Sequence, residues 1–297
     1  MPITEVGEEI SKDIEVMRDE IISLLVDLVR SNSVNPPGDT REVADVVIRK
    51  LAANDIEAQI IVLEEKKPNV LARINPEKRP ELLFNSHLDT VPIGERIQWR
   101  HDPLGAKIVE GVMYGRGAAD AKASVAAMTM AAVAIARKNL DLRGTLILKF
   151  VSDEETGGWG TKYILDEDYV DPDFVVIGEQ TDNRIAIAEK GVIWLNIKTK
   201  GRAAHASIPW FGVSAIDNML KLLNQIEEKI TTKIKTQIHP LTPPPSINIG
   251  TIRGGIKTNV VADACEVTID RRFLPHENPD SIVREFLDIV EELRGSN

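Results

Sequence analysis

His87 and Asp89, then Asp120, then the adjacent pair Glu154 and Glu155, then Glu179 form an ordered run of imidazole and carboxylate groups along one stretch of chain. Such a set suits a hydrolase built on two divalent cations. That chemistry needs a carboxylate to bridge the metals, terminal ligands to hold them, and one acid left free to move protons. Candidates for each role are present, and each has a plainer reading that must be weighed against it.

In Ser86-His87-Leu88-Asp89-Thr90 the imidazole and carboxylate stand two residues apart, so on a straight strand they share a face. Asp89 is then placed to accept the second ring N–H of a metal-binding His87, fixing its tautomer. Taken alone the pair reads as a loop histidine in a salt bridge. Asp120 closes Tyr114-Gly115-Arg116-Gly117-Ala118-Ala119-Asp120 and precedes an alanine-rich stretch. Its plain reading is a helix N-cap, and Gly115-Arg116-Gly117 lacks the third glycine of a dinucleotide fingerprint. Glu154 and Glu155 precede Thr156-Gly157-Gly158 and alone read as a solvated acidic turn. With a metal nearby, one would be a ligand and the other would take a proton from an attacking water. Glu179 follows Val175-Val176-Ile177-Gly178.

The elements that must position these groups follow from hydrophobic period. Ile10, Ile14, Met17, Ile21, Leu24, Leu25 and Leu28 predict one helix from Ile10 to Val29, which Asn35-Pro36-Pro37-Gly38 then ends. A second helix is expected from Arg41 to Asn54 and a third, alanine-rich, from Ala121 to Arg137. Strands are expected at 69–74, 81–86, 145–151 and 173–177. Strands alternating with helices predict an α/β layer with a mostly parallel sheet. Ligands emerge beyond the carboxyl ends of such strands, and His87, Glu154, Glu155 and Glu179 each follow a predicted strand.

Beyond Ala188 the pattern changes to a β-α-β-β-α unit. Its strands are expected at 192–199, 246–252 and 260–271, with helices marked by Ile216 to Ile230 and Ile282 to Leu293. The expected domains are a catalytic metal-binding domain over 1–190 and an inserted α+β domain over 191–297.

The 36 basic against 46 acidic residues give a net charge of −10, which disfavours nucleic acid and anionic membrane as partners. The chain has no apolar run of the length needed to span a bilayer and an acidic N-terminus, so a cytoplasmic address is expected. Cys265 is the single cysteine, flanked by apolar residues, and reads as a buried structural thiol.

These segments resemble the zinc metallopeptidase and amidohydrolase family of acetylornithine deacetylase, succinyl-diaminopimelate desuccinylase, glutamate carboxypeptidase and aminoacylase. The resemblance also takes in Trp99-Arg100-His101-Asp102-Pro103, Lys122, Gly201-Arg202-Ala203-Ala204-His205-Ala206-Ser207-Ile208-Pro209 and Gly254-Gly255-Ile256-Lys257-Thr258-Asn259-Val260-Val261. It runs from the first helix to the last residue.

By this resemblance His87, Asp120 and Glu179 would hold one zinc, with Asp120 bridging and Glu155 on the second zinc; cobalt and manganese are the alternative metals. Asp89 would orient His87, and Glu154 would be the general base. The second unit would be a lid and dimerisation domain, with His205 reaching the partner subunit's site in a homodimer and Asn259 and Arg272 binding a substrate carboxylate. The implied reaction is cleavage of an N-acyl amino acid or short peptide amide, nearest the deacetylase and desuccinylase branch. A dipeptidase or carboxypeptidase of the same family is the rival.

The resemblance further implies a return to the catalytic sheet after the lid, carrying a last histidine for the second zinc and a last lid strand. Residues 1–297 offer no substitute: His101, His239 and His276 lie in other motifs. The second metal position is therefore expected to be incomplete, and a catalytically inactive dimeric binding relative is a further alternative.

Overall fold

A computed structural model describes residues 3–295 except 139, 141 and 168. The chain divides into two compact units, Met1–Asn183 and Arg184–Asn297.

The first unit is an α/β layer. Its helices are α1 (Ile3–Val16), α2 (Arg18–Arg30), α3 (Arg41–Ala52), α4 (Lys122–Arg137) and α5 (Trp159–Asp166). Its strands are β1 (Ala58–Glu64), β2 (Lys67–Ile74), β3 (Glu81–His87), the short hairpin β4 (Lys107–Val109) and β5 (Val112–Tyr114), β6 (Thr145–Val151) and β7 (Phe174–Ile177). The single helix expected from Ile10 to Val29 is two helices that meet at Met17, and β1 and the hairpin were not expected.

The main sheet has the order β1-β2-β6-β3-β7. Only β2 runs against the others, pairing antiparallel with both β1 and β6, while β6, β3 and β7 are mutually parallel. All seven residues of β6 are buried, as a central strand covered on both faces requires. Leu146, Leu148 and Phe150 face a core formed with α2, α3 and α4, and Ile147 and Val151 face Ile164 of α5. Small alanines let α4 lie close to the sheet, and Ala126, Ala132 and Ala134 are all buried. Edge strand β7 keeps Phe174, Val175, Val176 and Ile177 46–62% exposed.

The second unit has strands β8 (Gly191–Lys200), β9 (Ser246–Gly254) and β10 (Ala264–Phe273) in the antiparallel order β8-β10-β9. Helix α6 (Ala215–Ile226) continues through a wider π turn at Glu227–Thr231 into α7 (Thr232–Ile234), and α8 spans Pro279–Gly295. Ser214 caps α6, its hydroxyl accepting from Asp217 N–H at 3.1 Å. Met219, Leu222, Ile226, Phe286 and Ile289 pack against Val267 and Ile269, with Cys265 buried among them. The third strand starts at Ala264 rather than 260, because Val260 forms an isolated bridge with His205 instead of joining the ladder.

Candidate metal centre

Three parallel neighbours bring the acids together. Along β6, β3 and β7 the register pairs His87 with Val151 and Asn85 with Ile177, so the three strands end on one edge of the sheet. The chain leaving β3 carries His87 and Asp89, that leaving β6 carries Glu154 and Glu155, and that leaving β7 carries Glu179. Common direction and matched register make this convergence unavoidable.

Asp120 arrives from the segment joining β5 to α4. Gly117 has φ +85°, and a Cβ there would come within 2.9 Å of both Thr90 Cγ2 and Lys122 Cδ, so only glycine fits. Arg116 N–H donates to Pro103 O at 2.7 Å, and its guanidinium lies over the Trp99 ring, 5.4 Å from the centroid. The N-cap reading of Asp120 does not hold: Ala121 is the cap position and no side chain caps α4. The Asp120 carboxylate turns instead to His87.

His87 is 1% exposed. Its Nδ1–H donates to the main-chain oxygen of Asp89 at 2.9 Å, and since a carbonyl only accepts, Nδ1 carries a proton whatever the state of Nε2. Nε2 then faces Asp120 Oδ1 at 3.1 Å, Glu179 Oε1 at 3.7 Å and Glu154 Oε2 at 4.0 Å. Ligand atoms of His87, Asp120 and Glu155 all lie within 4.8 Å of one another. Glu155 Oε1 is buried without a hydrogen-bond partner. Such an orphaned acceptor beside an imidazole nitrogen and further carboxylates fits the donor set a divalent cation takes.

Electrostatics agree. Burial and the neighbouring Asp120, Glu154 and Glu155 push Glu179 up to about 7, against the pull of His87. Burial and Asp120 likewise raise Glu155. Burial alone would lower His87, but hydrogen bonds to Asp120 and Asp89 and the charges of Asp89 and Glu179 hold it at about 11. The His87 hydrogen bond keeps Asp120 below its usual range in spite of burial. Without a cation, protons must take up the excess negative charge; a divalent ion can replace them.

The expected role of Asp89 divides into two. Its main-chain oxygen orients His87, while its carboxylate stands 3.7 Å from Nδ1. That carboxylate accepts from Asn35 Nδ2 at 2.8 Å, Glu154 N at 3.2 Å and Glu155 N at 3.3 Å. Asp153 precedes the glutamates in the left-handed region, φ +62°, and its side chain meets Lys67 Nζ at 2.9 Å. Gln180 Nε2 donates to Asp120 Oδ2 at 3.0 Å. Reasoning from sequence overlooked Asn35, Lys67, Asp153 and Gln180. Only Asn35, inside an Asn-Pro-Pro-Gly run, carried a signal beyond composition.

In the second unit His205 is exposed, and its Nδ1 accepts from Ser207 N–H at 3.2 Å and lies 2.8 Å from Ser207 Oγ, which leaves the proton on Nε2. Ala206 N–H donates to Asn259 O at 3.1 Å, so His205 and Asn259 stand on adjoining turns. The Arg272 guanidinium is engaged by the Asp270 carboxylate through two bonds of 2.9 and 3.0 Å. His101 packs edge-on against Tyr114, and His239 faces His276. None of these three belongs to the metal-ligand cluster found among the described residues.

The profile of peptidase family M20/M25/M40 matches residues 83–297. The chain belongs to that family. An N-formyl-4-amino-5-aminomethyl-2-methylpyrimidine deformylase of Halalkalibacterium halodurans is 30% identical, the match covering 94% of this chain and 68% of the relative. A probable succinyl-diaminopimelate desuccinylase of Staphylococcus epidermidis is also 30% identical, over 76% of this chain and 56% of the relative. The chain thus spans only part of the length of these relatives. An M20 family metallo-carboxypeptidase from Sulfolobus solfataricus shares the fold with a TM-score of 0.77 at 17% identity, covering 92% of this chain and 76% of that one. Peptidase family M20 is a family of metallo-hydrolases of amide bonds, and His87, Asp120 and Glu155 supply a site where this member could hold its metal. Among the described residues no helix is long and apolar enough to cross a membrane.

Proposed function

We propose that this chain is a metal-dependent amidohydrolase acting on an N-acyl amino acid or short peptide amide. The observation that carries the reading is the meeting of His87 Nε2 with the carboxylates of Asp120, Glu155 and Glu179 at the ends of β3, β6 and β7 and the start of α4. The names of the deformylase and desuccinylase relatives favour an N-acyl substrate, with acetyl, succinyl and formyl groups the first to try. Zinc is the metal to expect, with cobalt and manganese as alternatives.

In this reading His87, Asp120 and Glu179 would hold one cation, and Glu155 with Asp120 would hold a second. A divalent cation held there would supply Lewis acidity toward the attacking water and the scissile carbonyl. Glu154 lies 4.0 Å from His87 Nε2 with its side chain 46% exposed. It takes a proton from the attacking water and delivers it to the departing amine nitrogen. Asp89 keeps both glutamates in place by accepting from their main-chain N–H groups. His205, with Nε2 protonated, donates to the developing oxyanion of a partner subunit's substrate, which makes residues 191–297 a lid and dimerisation domain. Asn259 and Arg272 bind the substrate carboxylate, Arg272 exchanging Asp270 for the ligand. The address is cytoplasmic.

The test is metal analysis of the purified chain followed by a panel of N-acetyl, N-succinyl and N-formyl amino acids beside unblocked dipeptides. Release of the acyl group supports the reading, and release of free amino acids from dipeptides alone moves the chain to the peptidase branch. A second reading, an inactive dimeric binding relative, is favoured by the cluster holding a single histidine among the described residues. One metal or none per chain with no turnover on any of these substrates would support it.

A further inference from the structure

We infer that Asn35 is a positioning residue for the catalytic turn at residues 153–156, and that the Asn35-Pro36-Pro37-Gly38 segment is shaped to hold its amide there. The inference rests on the amidohydrolase reading only for what the turn does, not for how it is held.

Asn35 is 4% exposed. Its Nδ2 lies 2.8 Å from Asp89 Oδ2, 2.8 Å from Asp153 Oδ1 and 3.1 Å from Thr156 Oγ1. The two amide hydrogens therefore go to two buried carboxylates, Asp89 at 0% and Asp153 at 3% exposure. Carboxylates only accept, so the amide orientation is forced. Asp153 and Thr156 are the two ends of the turn. The residues between them, Glu154 and Glu155, donate their main-chain N–H groups to Asp89, the other carboxylate that Asn35 grips. Every residue from 153 to 156 is thus tied to one side-chain amide, directly or through Asp89 or Asp153, to which the Thr156 hydroxyl donates at 3.3 Å.

The segment carrying Asn35 is itself fixed. Asn35 N–H donates to Thr90 O at 2.7 Å, one residue past Asp89, and Gly38 N–H donates to Val34 O at 3.0 Å. Gly38 has φ +74°, and a Cβ there would fall 2.7 Å from Asn35 Cγ and 2.9 Å from Nδ2. Glycine is needed at 38 because the working amide lies over it. Lys67 neutralises Asp153 from the far side at 2.9 Å, which leaves the amide as the link between the two acids.

Asn35→Asp keeps the shape, removes the amide donor and sets a third carboxylate beside Asp89 and Asp153, while Asn35→Leu, read in parallel, removes the donor without adding charge. The readouts are Zn2+ affinity by chelator competition, site-resolved hydrogen exchange, and kcat and KM on whichever N-acyl amino acid is turned over. Expected are faster exchange at the Glu154 and Glu155 amides, Zn2+ affinity lower by about 10–100-fold, and a fall in kcat with KM nearly unchanged. Gly38→Ala, which leaves Asn35 in place but crowds its amide, should shift the same readouts in the same direction. Wild-type exchange and Zn2+ affinity in Asn35→Asp would overturn the inference. So would a uniform rise in exchange over the whole unit, or failure of all three variants to fold, since each marks a folding role. If the wild-type chain binds Zn2+ but hydrolyses none of the substrates, the amidohydrolase reading falls, and affinity and exchange still decide the role of Asn35.

Discussion

The ring of His87 is oriented by the main-chain oxygen of Asp89, 2.9 Å from Nδ1, while the Asp89 carboxylate is spent on the Glu154 and Glu155 amides. Removing the carboxylate should therefore leave the His87 Nδ1 hydrogen bond intact and loosen the glutamates. We expect Asp89→Ala to reduce activity or metal affinity by about 10–100-fold, with the His87 Nδ1 proton still held in its hydrogen bond to the residue 89 carbonyl by NMR. Loss of that Nδ1 hydrogen bond would show that the carboxylate, not the carbonyl, sets the ring.

Metal uptake should release protons. With His87 held at about 11 and Glu179 at about 7 by their surroundings, the metal-free centre is protonated at neutral pH. A cation must displace about one to two protons at pH 7, and affinity should rise as pH increases through that value. Calorimetry in buffers of different ionisation enthalpy measures the number. Uptake without release would mean the metal sits elsewhere.

Glu154→Gln should abolish hydrolysis while leaving metal content near the wild-type value, because its proposed task is proton transfer. The loss expected for a general base is about 10²–10⁴-fold. Parallel loss of metal would make Glu154 a ligand.

The Trp99–Arg116 pair braces the segment that delivers Asp120. Arg116→Gln removes a cation–π contact worth about 0.5–2 kcal/mol and a positive charge that helps keep Asp120 ionised. Weaker metal binding is expected by chelator competition. Trp99→Phe keeps an aromatic face and should lose less, so equal effects of the two variants would argue against the brace.

Glu20 joins α2 to α4 through Arg137, with bonds of 2.8 and 2.7 Å, and to α3 through Lys50. Arg137 first, then Lys50, lowers its pKa from 4.5 to about 2. A depressed acid stabilises the fold above its unfolded value, so the contribution is complete above pH 4.5 and fades between 4.5 and 2. Partial exposure limits it to about 0.5–1 kcal/mol. Glu20→Gln should lower Tm at pH 7, and the difference from wild type should close as pH falls through that window. A difference unchanged at pH 2 would assign the effect to packing.

The sequence by itself determined much of this protein. Periodicity located most of the helices and the strands that become β2, β3, β6 and β7, because a buried face imposes its period on composition. It also nominated the centre, since a ligand set is conspicuous when all its members but Asp120 follow a predicted strand. Boundaries set by local geometry escaped it: the break at Met17, strand β1, and the late start of β10 where Val260 bridges to His205.

Only the tertiary structure decided how the acids are held. Whether His87 bonds to the carbonyl or the carboxylate of Asp89 depends on the bend of the chain after β3. Asn35 lies 118 residues from Asp153 in the chain. No period or spacing records a contact made by one amide across such a distance. Side-chain types are written in the sequence, but the direction of each donor and acceptor is set only when separate segments pack and every buried polar group must find a partner.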